Sequence, residues 1–502
     1  MGTSIVLTFM SVIMIDPLPI HRPNIVFILA DDLGWGDLRS NNPASKIDTP
    51  VLDRLARDGI RFTDAHSDSA VCTPTRYGIM TGRHSWRSRL KRGVLGGLSP
   101  ALIESDRPTL ASFLREQGYR TACVGKWHLG MNWAIHPGKT VSSLGIELQS
   151  QVDNVDYTQK ISHGPTKLGF DSFFGIAASL DMVPYTYIVD DHVLVPPTAT
   201  REFPMIHGGA NPAKTRRGPG APDFSDDKVL PDFISHAVAF IEESTRSNDA
   251  KPFFLYLPLA APHTPIAPTE AYRGASGLTP YADFLMQTDA GIGEVIAAIE
   301  RSGQKENTLI IVSSDNGFAP LAGFDELVAK GHHPSGPFRG HKADLYEGGH
   351  RVPLIVRWPT AIKAGQVSTS LVCLNDLFAT LAEIVQAPLP AGGAEDSVSF
   401  AALFVDPTQP CREELVSLSQ NGSLALRQGD WKYLECPGSG GWSYPRPGVD
   451  RTDSLAPVQL FDLRADPAES KNRALDHPEI VQRLARRLSE IRAGRPDTLQ
   501  PK

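Results

Sequence analysis

The sequence predicts an α/β fold: a large mixed, mostly parallel sheet sandwiched by helices, followed by a smaller C-terminal antiparallel sheet with one helix. Three observations carry this. Short apolar runs rich in β-branched residues alternate with amphipathic segments through residues 21–390, the pattern of a parallel sheet covered on both faces. A composition break rich in Pro, Ala and Gly falls at 387–396. Beyond it the strand signals are short and separated by turn residues, Asn421-Gly422 being the strongest. With 502 residues, 41% hydrophobic and 21% charged, the chain has ample material for a large core. Its net charge of −7 argues against a non-specific nucleic-acid binder.

The elements follow in order. Residues 1–20 read as a leader; 3–15 is apolar but too short to span a bilayer comfortably, and no Lys or Arg precedes it. No stable membrane insertion is expected. Asn24 to Ala30 is the first buried strand, and 49–58 is a helix with Pro50 just inside its start. Residues 74–82 open a helix directly after Cys72, aiming its N-terminal N–H groups at an anion site. The basic run 83–92 (Arg83, Arg87, Arg89, Lys91, Arg92) reads as a solvated surface segment. A helix at 107–117 precedes a strand at 119–124. From 131 to 231 the alternation fades into a long excursion with ordered pieces such as 171–175; within it, 200–226 reads equally as a flexible connector. Strands at 253–257, 308–314 and 354–358 and helices at 281–301 and 375–385 complete a first domain, 21–390. A second, 391–502, holds strands at 414–419, 423–427, 431–434 and 459–463 and a helix at 477–492. Cys411 and Cys436 are close enough to pair in an oxidising compartment, with free thiols an equal reading; no CxxC or zinc-type spacing occurs.

The first strand ends in Asp31-Asp32 and the 308–314 strand in Asp315-Asn316. Either pair alone reads as a polar turn or helix cap. Two pairs, each at the strand end where open α/β sheets bind ligands, read as oxygen donors for Ca²⁺ or Mg²⁺ and not for zinc. Lys126 and His128 follow the 119–124 strand, and their spacing puts both on one face of an extended segment. His263 lies between Pro262 and Thr264-Pro265, in a loop the prolines stiffen.

Cys72-Thr73-Pro74-Thr75-Arg76, followed by Met80-Thr81-Gly82-Arg83, resembles the signature of the type I sulfatases of the alkaline phosphatase superfamily, in which the cysteine is oxidised to formylglycine. Thr75 stands where Ser is commoner, and keeps the hydroxyl. Gly125-Lys126-Trp127-His128-Leu129-Gly130 resembles a second family element. The run from Lys342 through Tyr346-Glu347-Gly348-Gly349 to Arg351 and Pro353 resembles another. Residues 427–433 and 460–469 resemble the family's C-terminal subdomain, so the likeness extends from about 23 to 472.

The resemblance implies an alkaline-phosphatase-like fold and an arylsulfatase-like enzyme acting on a carbohydrate or aryl sulfate. It implies one Ca²⁺ held by Asp31, Asp32, Asp315, Asn316 and residue 72, the last as oxygen, since a thiolate suits a hard cation poorly. Hydrated formylglycine would attack sulfur, with Arg76 holding the hydrate and Lys126 and Lys342 the sulfate. His263 or Lys342 would assist the leaving alcohol, and His128 would take a proton as sulfate is expelled. Asp344, His350 and His341 are given no role in binding substrate. With the cation, Arg76, Lys126 and Lys342 set against Asp31, Asp32 and Asp315, about two positive charges remain. That favours an anionic oxyester without separating sulfate from phosphate. A phosphodiester or phosphonate monoester hydrolase therefore stands as the alternative, and an inactive sulfated-glycan-binding protein as a second. The implied partners are a sulfated small molecule or glycan and the maturation enzyme that makes formylglycine. The implied location is periplasmic or secreted, otherwise cytoplasmic.

Overall fold

Thr308–Ser314, Asn24–Ala30, Phe253–Pro258, Arg120–Lys126 and Ser172–Ile176 lie side by side, all parallel, at the centre of a ten-stranded sheet. These strands belong to a computed structural model that describes residues 22–209, 212–246 and 251–494. Every residue of Asn24–Ala30 and Thr308–Ser314 is buried, which is why both read as apolar runs without alternation. Leu354–Arg357 runs antiparallel to Thr308–Ser314 and makes the sheet mixed. Ala30 pairs with Ser314, so Asp31-Asp32 and Asp315-Asn316 leave the sheet at one level.

Helices cover the sheet in two groups. Pro280–Arg301 touches both Pro50–Arg57 and Val229–Arg246; Cys72–Thr81 touches both Leu110–Glu116 and Leu377–Ile384 in the other set. Asp289 accepts the Val51 and Leu52 N–H groups (3.0 and 2.8 Å), so one helix of the first group caps its neighbour. All ten residues of Cys72–Thr81 are buried, and the helix ends at Gly82 in a left-handed conformation, φ 62°.

The small sheet is Glu414–Leu418, Leu424–Gln428, Trp431–Leu434 and Gln459–Asp462, antiparallel throughout. Leu484, Leu488 and Ile491 of the helix Pro478–Arg492 pack on its apolar face. One buried and one half-buried ion pair fasten this sheet to the rest. Lys432 Nζ lies 2.9 Å from Glu347 Oε1, and Arg427 grips Asp64 at 2.8 Å. Among them His66 Nδ1 faces His350 Nδ1 at 3.0 Å, so His350 belongs to this junction.

Some expectations need correction. The helix after Cys72 begins at Cys72 itself, two residues earlier than Pro74 suggested. The first N–H groups of a helix have no intrahelical partner, so Pro74 fits inside the first turn at no cost in hydrogen bonds. The excursion is better ordered than expected. It supplies Ser172–Ile176 and the short Ile188–Val189 and His192–Val193 to the main sheet. Ala199–Arg201 pairs with Gly218–Gly220 where a flexible connector was an equal reading. Cys411 and Cys436 are free thiols, as are Cys72, Cys123 and Cys373. The leader lies outside the described residues. Among the described residues, no helix is long and apolar enough to cross a membrane.

Candidate active site

The parallel strands deliver the chemistry-bearing residues from their C-terminal ends. Asp31 and Asp32 follow Ala30, Asp315 and Asn316 follow Ser314, Lys126 closes its strand, and His263 lies in the loop after Pro258. The helix Cys72–Thr81 points its N-terminus into the same place. Cys72 Sγ is 3.7 Å from Asp31 Oδ1. The Thr75 hydroxyl donates to Ser69 O at 2.9 Å, so Thr serves this turn with the same group Ser would offer.

Arg76, fully buried, donates from Nε and Nη2 to Asp315 Oδ2 (3.1 and 2.8 Å) and from Nη1 to the Lys126 carbonyl (3.0 Å). Lys126 Nζ lies 2.6 Å from Asp31 Oδ2, and Lys342 Nζ 2.6 Å from Asp32 Oδ1. Burial alone would raise the Asp31 carboxyl. Lys126, then His263, Arg76 and Lys342, outweigh it and hold that carboxyl well below its usual range. Burial would lower the Lys342 ammonium, yet Asp32 above all keeps it raised. Burial pushes the Cys72 thiol up to about 12, against the pull of Lys126 and Lys342, so an unmodified side chain stays protonated.

Two acceptors in this cluster lack donors. Asn316 Nδ2 donates to Asp32 Oδ1 at 2.7 Å, which leaves Asn316 Oδ1 and Asp32 Oδ2 buried without a hydrogen bond, His263 Nε2 standing 3.5 Å from the latter. Ligand atoms of Asp31, Asp32, Cys72 and His263 lie within 4.8 Å of one another. Carboxylate and amide oxygens without donors are a donor set that fits a hard divalent cation.

His128 departs from the sequence expectation. Lys126 ends the strand, and His128 adopts a left-handed backbone, φ 57°, so the two do not share a face of one extended segment. Its Nε2 lies 2.9 Å from the Leu95 carbonyl, an acceptor, which assigns the proton to Nε2 and leaves buried Nδ1 bare and unpartnered. Burial, then Lys126 and Arg76, holds this imidazole well below its usual range and therefore neutral. Ser179 was missed from sequence. Its hydroxyl lies 3.1 Å from Lys126 Nζ and 3.2 Å from His263 Nε2, joining the two. It lies in Ala177-Ala178-Ser179, small residues where the alternation had faded, and nothing there signals chemistry. Asp344 braces the loop after Lys342, accepting the Trp442 and Ser443 N–H groups at 2.8 and 3.0 Å.

Residues 23–387 match the family model described as Sulfatase. An N-acetylgalactosamine-6-O-sulfatase of Bacteroides thetaiotaomicron is 34% identical over 507 residues, covering 94% of this chain and 93% of that relative. Human arylsulfatase A is 31% identical over 488 residues, covering 92% and 86%. A solved B. thetaiotaomicron structure, described under the metabolism of multiple glycosaminoglycans, superposes with a TM-score of 0.79 at 31% identity. It covers 94% of this chain and 100% of that one. Fold, cluster and likeness along nearly the whole chain agree: this protein belongs to the sulfatase family and is a sulfuric ester hydrolase.

Proposed function

We propose that the chain hydrolyses carbohydrate sulfate monoesters, with residue 72 acting as formylglycine and one Ca²⁺ held by Asp31, Asp32, Asp315, Asn316 and residue 72. One observation carries the reading: Asp32 Oδ2, in the cluster that includes Cys72, and Asn316 Oδ1, on the side chain bonded to Asp32, are buried acceptors without a hydrogen bond. A hard cation answers both, and an oxygen at position 72 suits it better than sulfur. When bound, the cation supplies charge against sulfate oxygens and eases deprotonation, and formylglycine supplies the nucleophilic hydroxyl.

The remaining work falls to the chain's own side chains. Lys126 and Lys342 face the sulfate oxygens, each already steadied by a carboxylate at 2.6 Å. Arg76 holds Asp315 and the start of the helix in place. The free N–H groups of Cys72–Thr81 add to the anion field. His128 Nδ1, neutral and bare, takes the proton released as sulfate departs. His263, steadied by Ser179, hands a proton to the leaving alcohol, with Lys342 as the alternative donor. The proposal requires a maturation enzyme that oxidises Cys72. It goes with a periplasmic or secreted location, the cytoplasm being the alternative.

The test is a panel of sulfated saccharides offered to aldehyde-bearing enzyme, beginning with N-acetylgalactosamine 6-sulfate, for which the relative at 34% identity is named. Sulfate release from a saccharide is expected. Faster cleavage of a phosphodiester or phosphonate monoester than of every sulfate ester would refute the reading.

A further inference from the structure

A groove of about 480 Å³ plays no part in the chemistry above. Arg83, Trp86, Arg87 and Lys91 line one side, and the Gly422 turn and Arg492 of the C-terminal helix the other. Four cations and no carboxylate line it, on a chain whose net charge is −7. Arg87 is held by buried Asp396 at 2.9 Å, Arg83 loosely by Glu395 at 3.6 Å, and Arg492 by Glu435. Lys91 is different: its ammonium donates to the Trp86 carbonyl at 2.8 Å and has no ion-pair partner among the described residues. Exposed Arg92 stands next to it, likewise without an ion pair among the described residues. Trp86 is nine-tenths buried, and its indole N–H has no acceptor.

The groove and the active site share one stretch of chain. Arg92 is three residues before Leu95, whose N–H donates to Thr73 Oγ1 at 3.2 Å and whose carbonyl holds His128. Three extended residues span at most about 11 Å, so Arg92 lies within that reach of Leu95. On the other side Gln420, two residues before the Gly422 turn, donates its N–H to the carbonyl of Ala343, the neighbour of Lys342, at 3.0 Å. We propose that this groove is an anionic exosite that takes a second sulfate of a sulfated oligosaccharide while another occupies the active site. The inference rests on the carbohydrate sulfatase reading and replaces the view of 83–92 as a merely solvated segment.

The experiment compares KM of aldehyde-bearing enzyme for a sulfated galactosaminoglycan hexasaccharide and for a monosulfated monosaccharide. In the double variant Lys91→Ala, Arg92→Ala, KM for the hexasaccharide should rise about tenfold while kcat and the monosaccharide KM hold. Unchanged hexasaccharide KM overturns the proposal. Arg87 is left intact because its partner Asp396 is buried. The unaltered enzyme gives a second readout: added sodium chloride should raise KM for the hexasaccharide and not for the monosaccharide, and equal responses overturn the exosite. If inorganic sulfate that spares the monosaccharide reaction erases the hexasaccharide preference, the groove is a site for free anions and the glycan assignment falls. Binding to phosphatidylserine vesicles that is lost in the double variant, with hexasaccharide KM unmoved, assigns the groove to a membrane instead. Failure to hydrolyse any sulfate ester sinks the function reading. The exosite is then judged separately, by binding of the sulfated hexasaccharide against its desulfated form, and equal binding of the two overturns it.

Discussion

Replacing His350 with Gln should change how stability depends on pH. His350 and His66 meet Nδ1 to Nδ1 at 3.0 Å. His66 Nε2 lies 2.8 Å from Asp64 Oδ1, and Lys432 Nζ lies 3.1 Å from His350 Nε2. His66 Nε2 faces Asp64 and carries that ring's proton, while His350 Nε2 faces both the Lys432 ammonium and the Leu345 carbonyl, each at 3.1 Å. With both rings neutral and the His350 proton on Nδ1, toward His66, one proton lies between them. A second proton would set two N–H groups against each other, among Asp64, Glu347, Glu469, Arg351, Arg427 and Lys432. Burial lowers both imidazoles, with Lys432 reinforcing the effect on His350 and Glu347 partly opposing it on His66. Below an unfolded pKa of about 6.5 the unfolded chain binds protons that the folded chain does not, so stability falls as pH falls. Each such histidine costs about 1.4 kcal/mol per pH unit, or about 2 kcal/mol between about pH 6.5 and 5.0. Glu469, which burial raises to about 7, works the other way, gaining its proton in the folded state as pH falls. It is present in both proteins, so their comparison removes most of its effect. Gln keeps a donor and an acceptor; the variant should be less stable by about 1–3 kcal/mol at neutral pH. That gap should shrink by about 2 kcal/mol by pH 5.0. Urea unfolding followed by tryptophan fluorescence at both pH values measures it. A gap that stays constant or widens would refute the neutral pair.

Other outcomes follow from the site. His128→Ala should lower kcat about 10²–10⁴-fold, and a single turnover should release alcohol without sulfate. Asn316→Ala should raise the calcium concentration needed for half-maximal activity. In the unaltered protein a chelator should lower the melting temperature, restored by Ca²⁺ and not by Zn²⁺. Ser179→Ala removes a hydroxyl shared by Lys126 and His263 and should cost about 1 kcal/mol of transition-state binding, a fivefold to tenfold loss in kcat/KM.

Much of the site was legible because its carboxylates close apolar strands. Asp31-Asp32 and Asp315-Asn316 stand where an uninterrupted hydrophobic run stops, and the strand register then sets them level. Lys342 was legible from its place in a long motif. What sequence did not reveal was local conformation. The spacing of Lys126 and His128 fits an extended segment, but the strand ends between them and His128 turns left-handed. Pro74 signals a helix start, yet a helix tolerates proline anywhere in its first turn, so the true start at Cys72 lay hidden. Ser179 lies in a run of small residues without periodicity, and the two-residue edge strands carry none either, because pairing orders them, Ile188–Val189 on Ser172–Ile176 and His192–Val193 on Ile188–Val189. The junction of His66, His350 and Lys432 joins residues up to 366 positions apart, and no local pattern reports such a pairing.

Mass spectrometry of the tryptic peptide containing residue 72, from the preparation whose sulfatase activity is measured, bears most directly on the proposed chemistry. The expected result is an aldehyde in place of the thiol, with activity rising in proportion to the aldehyde fraction. Fully active enzyme carrying only thiol at position 72 would contradict it.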